Sequence, residues 1–186
     1  AEAPQATSVA VSKKAEPAAP PPPAIGGEQA AWPATLDQFA SWWMAEPSLA
    51  EGGTRVPPRG AAQADLMVLV PMPEAGDSDS LLSGPHGTLV ANMLRAMQIA
   101  PDRAYVATAI PRHQPLTDWD ALQAAGLGAV LAHHITLAAP RRLLVLGNDI
   151  LPLLGLEKRQ GVRQLPLNGT TVELLASFAP DNLLEN

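Results

Sequence analysis

Four ionisable side chains in two polar loops have the types needed for acid–base chemistry. Glu74 and Asp77 lie in the first loop, His86 follows that loop directly, and His113 lies in the second loop, at 111–118. A carboxylate can activate water, and an imidazole can assist the departure of a leaving group. The pattern therefore predicts a hydrolytic site as one alternative. The other alternative is that these side chains only keep the loops solvated.

Several other chemistries are excluded or disfavoured by what the sequence lacks. It contains no cysteine, which excludes disulfides, thiolate zinc sites, cysteine-held iron–sulfur clusters and a cysteine nucleophile. His133 and His134 are neighbours on a predicted helix and point about 100° apart, so they do not easily share a metal ion. The sequence has neither a glycine-rich phosphate-binding loop nor a nucleophile elbow. We therefore expect no metal and no cofactor.

Composition and charge indicate one domain of ordinary size with a substantial core. Of the 186 residues, 47% are hydrophobic, and 12 basic residues stand against 18 acidic ones for a net charge of −6. This balance argues against a broad basic surface for nucleic acid. No apolar run is long enough for a membrane span, and no signal peptide is recognisable. We expect a cytoplasmic protein without membrane contact.

From Asp65 onward, short apolar runs alternate with helical patterns. The predicted strands and helices occur in the order β-α-β-α-β-α-β-β, at residues 66–70, 87–99, 104–110, 118–138, 143–146, 149–154, 162–167 and 170–175. Asn168-Gly169 predicts a type I′ turn between the last two strands. The order predicts an α/β protein with three layers, α/β/α, and a mainly parallel central sheet. Ligands of such sheets bind beyond the carboxyl ends of the strands, where the loops at 71–85, 111–118, 147–149 and 177–184 would meet.

The amino-terminal part of the chain has a different composition. Residues 1–31 are rich in alanine and proline, including four consecutive prolines, and are predicted to be a disordered tail or linker. Residues 32–186 are predicted to form the domain. Within it, residues 32–64 hold a tryptophan-rich helix, capped by Thr35, and a loop. Residues 65–186 hold the sheet core.

Five segments, in the same order and at similar spacing, resemble the uracil-DNA glycosylase superfamily, and most closely its iron–sulfur type, family 4. They are residues 64–70, 89–97, 104–110, 139–147 and the ending Ser177-Phe178-Ala179-Pro180 with Leu183-Leu184. The closest is Ala139–Gly147, which is similar to a family strand made of proline, basic residues, an apolar run and Leu-Gly. The resemblance covers about two thirds of the chain. It implies the fold of an enzyme that hydrolyses the N-glycosidic bond of uracil in DNA.

The residues that carry the family's chemistry are replaced in this chain. Proline occupies the position of the catalytic acid, and Glu74 is displaced from it by three residues. Leu81-Leu82 replaces the Pro-Phe pair whose ring stacks on uracil, and Thr108 stands at the asparagine that reads the base. Ala179 stands at the histidine that stabilises the departing base. The four cluster cysteines are also absent, so the resemblance implies a degenerate site.

The expected cleft and its DNA contacts follow from the loops. Its predicted lining residues are Pro71, Met72, Pro73, Leu82, Thr108, Ser177, Phe178 and Ala179. The residues predicted to hold phosphates are Arg112, Arg141, Arg142 and Arg163.

Three functions remain open at this point. The preferred hypothesis is a glycosylase-like domain without catalysis, which acts as a binding or assembly module in DNA replication or repair, with DNA or a replication or repair protein as partner. The second is an active DNA glycosylase in which Glu74 or Asp77 activates water and His86 or His113 assists base departure. The third is a hydrolase of a small molecule or nucleotide on a similar fold, because a fold alone does not determine function.

Overall fold

A computed structural model describes residues 24–186, which fold around a five-stranded mixed sheet. The strands are β1 (Leu66–Val70), β2 (Ala104–Thr108), β3 (Arg142–Leu146), β4 (Gly161–Leu167) and β5 (Thr170–Ser177). They lie in the order β2-β1-β3-β5-β4, and every neighbouring pair is parallel except the β4–β5 hairpin. All five residues of β1 are buried. Burial on both faces explains why this strand is a continuous apolar run rather than an alternating one.

Helices cover both faces of this sheet. They are α1 (Leu36–Ala45), α2 (Pro85–Ala96), α3 (Trp119–Ala124), α4 (Leu127–Ala138) and α5 (Pro180–Leu184), with 3₁₀ helices at Gln29–Ala31, Pro47–Leu49, Pro101–Arg103 and Asn148–Leu154. Met67 and Leu69 of β1 face the core beneath α1, α3 and α4, whereas Val68 faces the core beneath α2 and α5. The predicted α/β class with a mainly parallel sheet is confirmed, and helices on both faces agree with three layers.

The long helix predicted at 118–138 is instead two helices. Gly126 separates α3 from α4 and takes a φ of +96°, a left-handed conformation that favours glycine. The free carbonyl of Ala125 at this break accepts a hydrogen bond from the N–H of Ile25. The break therefore provides the docking point for the amino-terminal segment.

Other predicted elements also differ from the structure. The strand predicted at 104–110 ends at Thr108, and the strand predicted at 170–175 extends to Ser177. The helix predicted at 87–99 lies at Pro85–Ala96, because proline starts it and Gln98 leaves the helix with a φ of +58°. The segment after β5, predicted as a loop, contains α5. The type I′ turn is wrong: Gly169 has a φ of +79°, but Asn168 does not enter the left-handed region that this turn requires at both positions.

The folded part of the chain begins earlier than the predicted boundary at residue 32. Ile25 is buried in the core, and the N–H of Gly26 donates to Ser48 Oγ at 2.8 Å. The indole N–H of Trp32 donates back to the carbonyl of Gly26, also at 2.8 Å. Residues from 24 onward therefore belong to the domain. Residues 1–23, with the run of prolines, lie outside the described residues.

Helix α1 packs against α4 through its aromatic face. Thr35 caps the helix by accepting a hydrogen bond from the N–H of Gln38 at 3.3 Å. Phe39 and Trp43 are buried, and the ring of Phe39 stacks on that of His134 with 4.2 Å between centroids. The tryptophan-rich segment is thus part of one of the two cores. Among residues 24–186, no helix combines the length and the apolar character needed to cross a membrane.

Candidate functional site

The carboxyl ends of β1, β3 and β5 surround an open cleft of about 380 Å³. Strand order reverses between β1 and β3, because the chain moves outward from β1 to β2 and then returns to the other side. Ligands of open α/β sheets bind at this kind of reversal. The residues that line the cleft are Val70, Pro71, Met72, Pro73, His86, His113, Trp119, Gly147, Asn148, Asp149, Phe178, Ala179, Pro180, Asp181 and Asn182.

The floor of the cleft is formed where two strand ends approach each other closely. Gly147 follows β3 with a φ of +141°, and its N–H donates to the carbonyl of Ser177 at the end of β5. A Cβ at this position would lie 2.9 Å from Cγ of Pro71. Only glycine allows this approach without displacing the proline. Proline rather than a hydrogen-bonding side chain therefore occupies this part of the floor.

An imidazole–carboxylate pair lies on the wall of the cleft. His86 is in the first turn of α2, and Asp181 is in the first turn of α5. Nε2 of His86 lies 2.7 Å from Oδ1 of Asp181, although the two residues are 95 positions apart in sequence. The His86 side chain is 19% exposed and the Asp181 side chain is 80% exposed, so the carboxylate remains largely in water. The pair has the composition of an acid–base dyad.

A second imidazole reaches the cleft from the loop after β2. Nδ1 of His113 lies 2.8 Å from the carbonyl oxygen of Pro73, so Nδ1–H donates to that oxygen. In the neutral ring, this leaves Nε2 as a hydrogen-bond acceptor. His113 can therefore orient a ligand that carries a donor group.

Asn148 and Asp149, which follow β3, add polar groups to the cleft. The side-chain oxygen of Asn148 is buried and makes no hydrogen bond to any atom of residues 24–186. Asp149 is partly neutralised by Lys158, whose Nζ lies 3.1 Å from its Oδ1. Trp119 and Phe178 supply aromatic surface, and the Phe178 ring is half exposed. The cleft thus offers acceptors and aromatic contacts to a small ligand.

Glu74 and Asp77 do not line the cleft, because both carboxylates bind backbone N–H groups of their own loop. Glu74 accepts from the N–H groups of Gly84 and His86, each at 2.9 Å, and so caps the start of α2. Asp77 is buried and accepts four hydrogen bonds, from the N–H groups of Glu74, Leu82 and Ser83 and from the Ser83 hydroxyl. These two carboxylates shape the loop and are not placed to activate water in the cleft.

The hydrogen bonds to Asp77 also control its ionisation. Burial by itself raises the pKa of this carboxyl, but the hydrogen bonds from Ser83, Leu82 and Glu74 outweigh burial and hold the pKa below its ordinary value. Asp77 is therefore a carboxylate at neutral pH, with its acceptor positions already taken.

Five of the residues predicted to line the cleft do so, namely Pro71, Met72, Pro73, Phe178 and Ala179. Leu82, Thr108 and Ser177 are not among the lining residues. Leu82 is buried in the core beneath α2, and the Thr108 hydroxyl donates to the carbonyl of Ile110 at 2.6 Å. Ser177 lies within β5, paired with Leu146. Packing holds the Leu82 side chain away from the site, and the local hydrogen bond does the same for Thr108.

The four arginines predicted to contact phosphates do not gather around the cleft. Arg141 and Arg142 lie at the amino end of β3, whereas the cleft lies at the carboxyl ends of the strands. Arg141 pairs with Asp65, and Arg142 pairs with Glu173. Arg163 lies on β4 and donates to the carbonyls of Glu157 and Arg159. Arg112 lies beside Arg55 near the end of β2. None of the four lines the cleft.

The adjacent histidines of α4 have structural partners. His133 Nε2 lies 2.6 Å from the carbonyl oxygen of Pro33, and His134 Nε2 lies 2.7 Å from the hydroxyl of Tyr105. Burial lowers the pKa of His134 to about 3, with a smaller contribution from the neighbouring His133. Within residues 24–186, no three histidine or acidic side chains converge in a way that could hold a metal ion.

Sequence reasoning missed Asp181, Asn148 and Trp119 as residues of the cleft. The first two follow the carboxyl ends of β5 and β3, within loops that the strand pattern had marked. A position just after the carboxyl end of a strand could have indicated that Asp181 and Asn148 lie at the cleft, but neither residue belongs to a recognisable sequence motif. Trp119 starts α3 and was assigned to a helix rather than to the site.

The chain matches no family model, and no curated protein is significantly similar to it.

Proposed function

We propose that this chain is a uracil-DNA glycosylase-like domain that has lost base excision and acts as a protein-binding module in DNA replication or repair. The mainly parallel sheet, with a cleft at the reversal of its strand order, supports a scaffold of this kind. One observation carries the loss of catalysis. The first loop brings Pro71, Met72 and Pro73 to the cleft, while its carboxylates, Glu74 and Asp77, bind backbone groups.

Base excision requires groups that this cleft does not supply at the expected positions. Removal of a single electrostatic donor from such a site typically costs about 10²–10³ in rate. A base turned out of the helix must also regain a few kcal/mol through stacking and hydrogen bonding. Leu82 and Thr108, at the stacking and base-reading positions implied by the resemblance, are buried away from the cleft. Little of that reaction should remain.

The charge around the cleft favours a protein over DNA as the partner. Among residues 24–186, its charged lining residues, apart from the histidines, are the carboxylates Asp149 and Asp181, and no arginine or lysine of this range lines it. Carboxylates repel the phosphate backbone, which supplies most of the nonspecific affinity of proteins for DNA. A binding partner with donor groups fits this surface better.

The proposal is tested by incubating the protein with single- and double-stranded oligonucleotides that contain uracil, followed by alkaline cleavage and electrophoresis. We expect no strand cleavage above a blank without protein, whereas an active uracil-DNA glycosylase run in parallel cleaves both substrates. Cleavage that disappears in the H86Q or D181N variant would show that catalysis survives.

A relocated active site is the second candidate, and the pairing of His86 with Asp181 is the observation that favours it. A carboxylate beside an imidazole can orient the ring for proton transfer. In this alternative, the same assay gives cleavage that depends on both residues. D79N is the matched control, because Asp79 is an exposed carboxylate that does not line the cleft.

A further inference from the structure

Several positions that line the cleft cannot donate a backbone hydrogen bond to a ligand. Pro71, Pro73 and Pro180 line it, and proline has no backbone N–H. The N–H of Gly147 already donates to the carbonyl of Ser177 at 3.1 Å. The loops after β1, β3 and β5 therefore each contribute a lining residue whose backbone has no free donor.

Acceptor atoms in the cleft, by contrast, lack partners. Asp181 uses its Oδ1 for His86, at 2.7 Å. Asp149 uses its Oδ1 for Lys158, at 3.1 Å. Within residues 24–186, the Oδ2 atoms of both carboxylates accept no hydrogen bond, and the buried side-chain oxygen of Asn148 also has no partner. A ligand that brings several donors would satisfy the carboxylates.

Negative charge and aromatic surface accompany these acceptors. The part of the chain at 24–186 places two carboxylates on the cleft lining and neither lysine nor arginine. Phe178 is 51% exposed there, and Trp119 is partly exposed. An aromatic face attracts a cation, and a guanidinium also stacks on it because both groups are planar. A flat cation with several donors thus matches the charge, the acceptors and the rings of this cleft.

We infer that the cleft binds the guanidinium group of an arginine side chain that the partner protein presents. A guanidinium has five N–H donors and no acceptor. Its N–H groups donate to the free Oδ2 atoms of Asp149 and Asp181, and its plane stacks against the ring of Phe178. Lysine fits less well, because its ammonium is a compact charge without a planar face. The inference names the partner chemistry for the proposed binding role and rests on that role.

The test is a titration of the isotope-labelled protein with N-acetylarginine amide at low ionic strength, followed by NMR. We expect the backbone amide signals of Asp149, Phe178 and Asn182 to shift saturably, with a dissociation constant below about 10 mM. The citrulline analogue keeps the shape of arginine without its charge, and should bind about tenfold or more weakly. The lysine analogue should bind about threefold or more weakly, because the stacking contact is lost.

Variants of the carboxylates test their part in binding. D181N removes one charge from the cleft and should weaken binding of the arginine probe about tenfold or more. Because D181N also alters the pair with His86, D149N is a second test, and it should weaken binding as well. D79N is the matched control, because Asp79 is exposed and does not line the cleft, and it should leave the dissociation constant unchanged.

A variant of Phe178 tests the stacking contact. F178A should weaken binding of the arginine probe about threefold, and should abolish its preference over the lysine analogue. L175A is the matched control, because Leu175 is 44% exposed on β5 and does not line the cleft.

Four results would overturn the inference: no saturable shift with the arginine probe, equal binding of the citrulline or lysine analogue, binding that D181N and D149N leave unchanged, or tighter binding of inorganic phosphate at the same amides. Base excision is measured on uracil-containing DNA, so a failed titration leaves the loss of catalysis standing. Detected base excision would remove the proposed function even if the arginine probe binds.

Discussion

At the scale of single residues, Glu74 and Asp77 stabilise a loop, although the sequence suggested them as catalytic carboxylates. Asp77 collects three backbone N–H groups and one hydroxyl, and Glu74 caps α2. Satisfying buried backbone donors is a strong requirement, because each unpaired group costs about 1–3 kcal/mol. A carboxylate that accepts hydrogen bonds from the backbone N–H groups of the loop is therefore not available for catalysis in the cleft.

The D77N variant tests this role. The amide of asparagine keeps one acceptor oxygen but turns an NH₂ donor toward the two groups that donate to the other carboxylate oxygen. We therefore expect the free energy of unfolding to fall by about 2–4 kcal/mol at pH 7, measured by urea denaturation. D79N, an exposed change in the same loop, should shift it by less than about 0.5 kcal/mol. Equal stability of D77N and the wild type would contradict the assignment.

The lowered pKa of Asp77 also gives its contribution a pH dependence. The stabilisation is fully present above the ordinary carboxyl pKa of about 3.9 and is lost as the pH falls through the lower value of the folded state. The D77N variant has no carboxyl group at this position, so its free energy of unfolding should lack the decrease below about pH 3.9 that Asp77 contributes in the wild type.

At the scale of elements, the docking of α1 on α4 depends on a histidine that is buried and neutral. His134 stacks on Phe39, lies near Trp43 and hydrogen-bonds Tyr105 of β2. Its pKa of about 3 in the folded protein lies below the value of about 6.5 expected for the unfolded chain. Between these values the unfolded chain binds more protons, so acid favours unfolding.

We expect the wild type to lose stability as the pH falls from about 6.5 toward 3, with a contribution from His134 of up to about 1.4 kcal/mol per pH unit. The H134F variant keeps an aromatic ring at this position but cannot titrate, so its stability should vary less over this range. Urea denaturation from pH 4 to 7 measures the difference, and H113Q is the control at an exposed histidine. An unchanged slope in H134F would exclude this coupling.

At the scale of the whole molecule, the arginines are dispersed around the sheet. Arg141 and Arg142 lie at the amino ends of the strands, Arg163 lies on the edge strand β4, and the cleft lies at the carboxyl ends. Affinity for a DNA backbone requires several cations that contact successive phosphates at once. This dispersal supports the proposal of a protein rather than DNA as the partner.

We therefore expect labelled duplex DNA to bind with a dissociation constant weaker than about 100 μM at physiological salt, near the weak limit of nonspecific binding. Fluorescence anisotropy against salt concentration measures it, and the R141A/R142A double variant should behave like the wild type. Micromolar binding with a steep salt dependence that the double variant reduces would restore DNA as a partner.

The sequence by itself determined the parts of this protein that depend on local pattern. The apolar runs located β1 and β3, the cap at Thr35 located the start of α1, and the absence of cysteine excluded a cysteine-held cluster. Hydrophobic periodicity and capping act over a few residues, so a single sequence is enough to recognise them.

Only the tertiary structure decided what each polar side chain binds. It directed Glu74 and Asp77 to backbone groups, brought His86 and Asp181 together across 95 residues of sequence, and broke the long helix at Gly126. These outcomes depend on how loops close and where distant elements pack, because a polar side chain takes whichever partner the fold brings within hydrogen-bonding distance. Residue type and spacing carry no record of that partner.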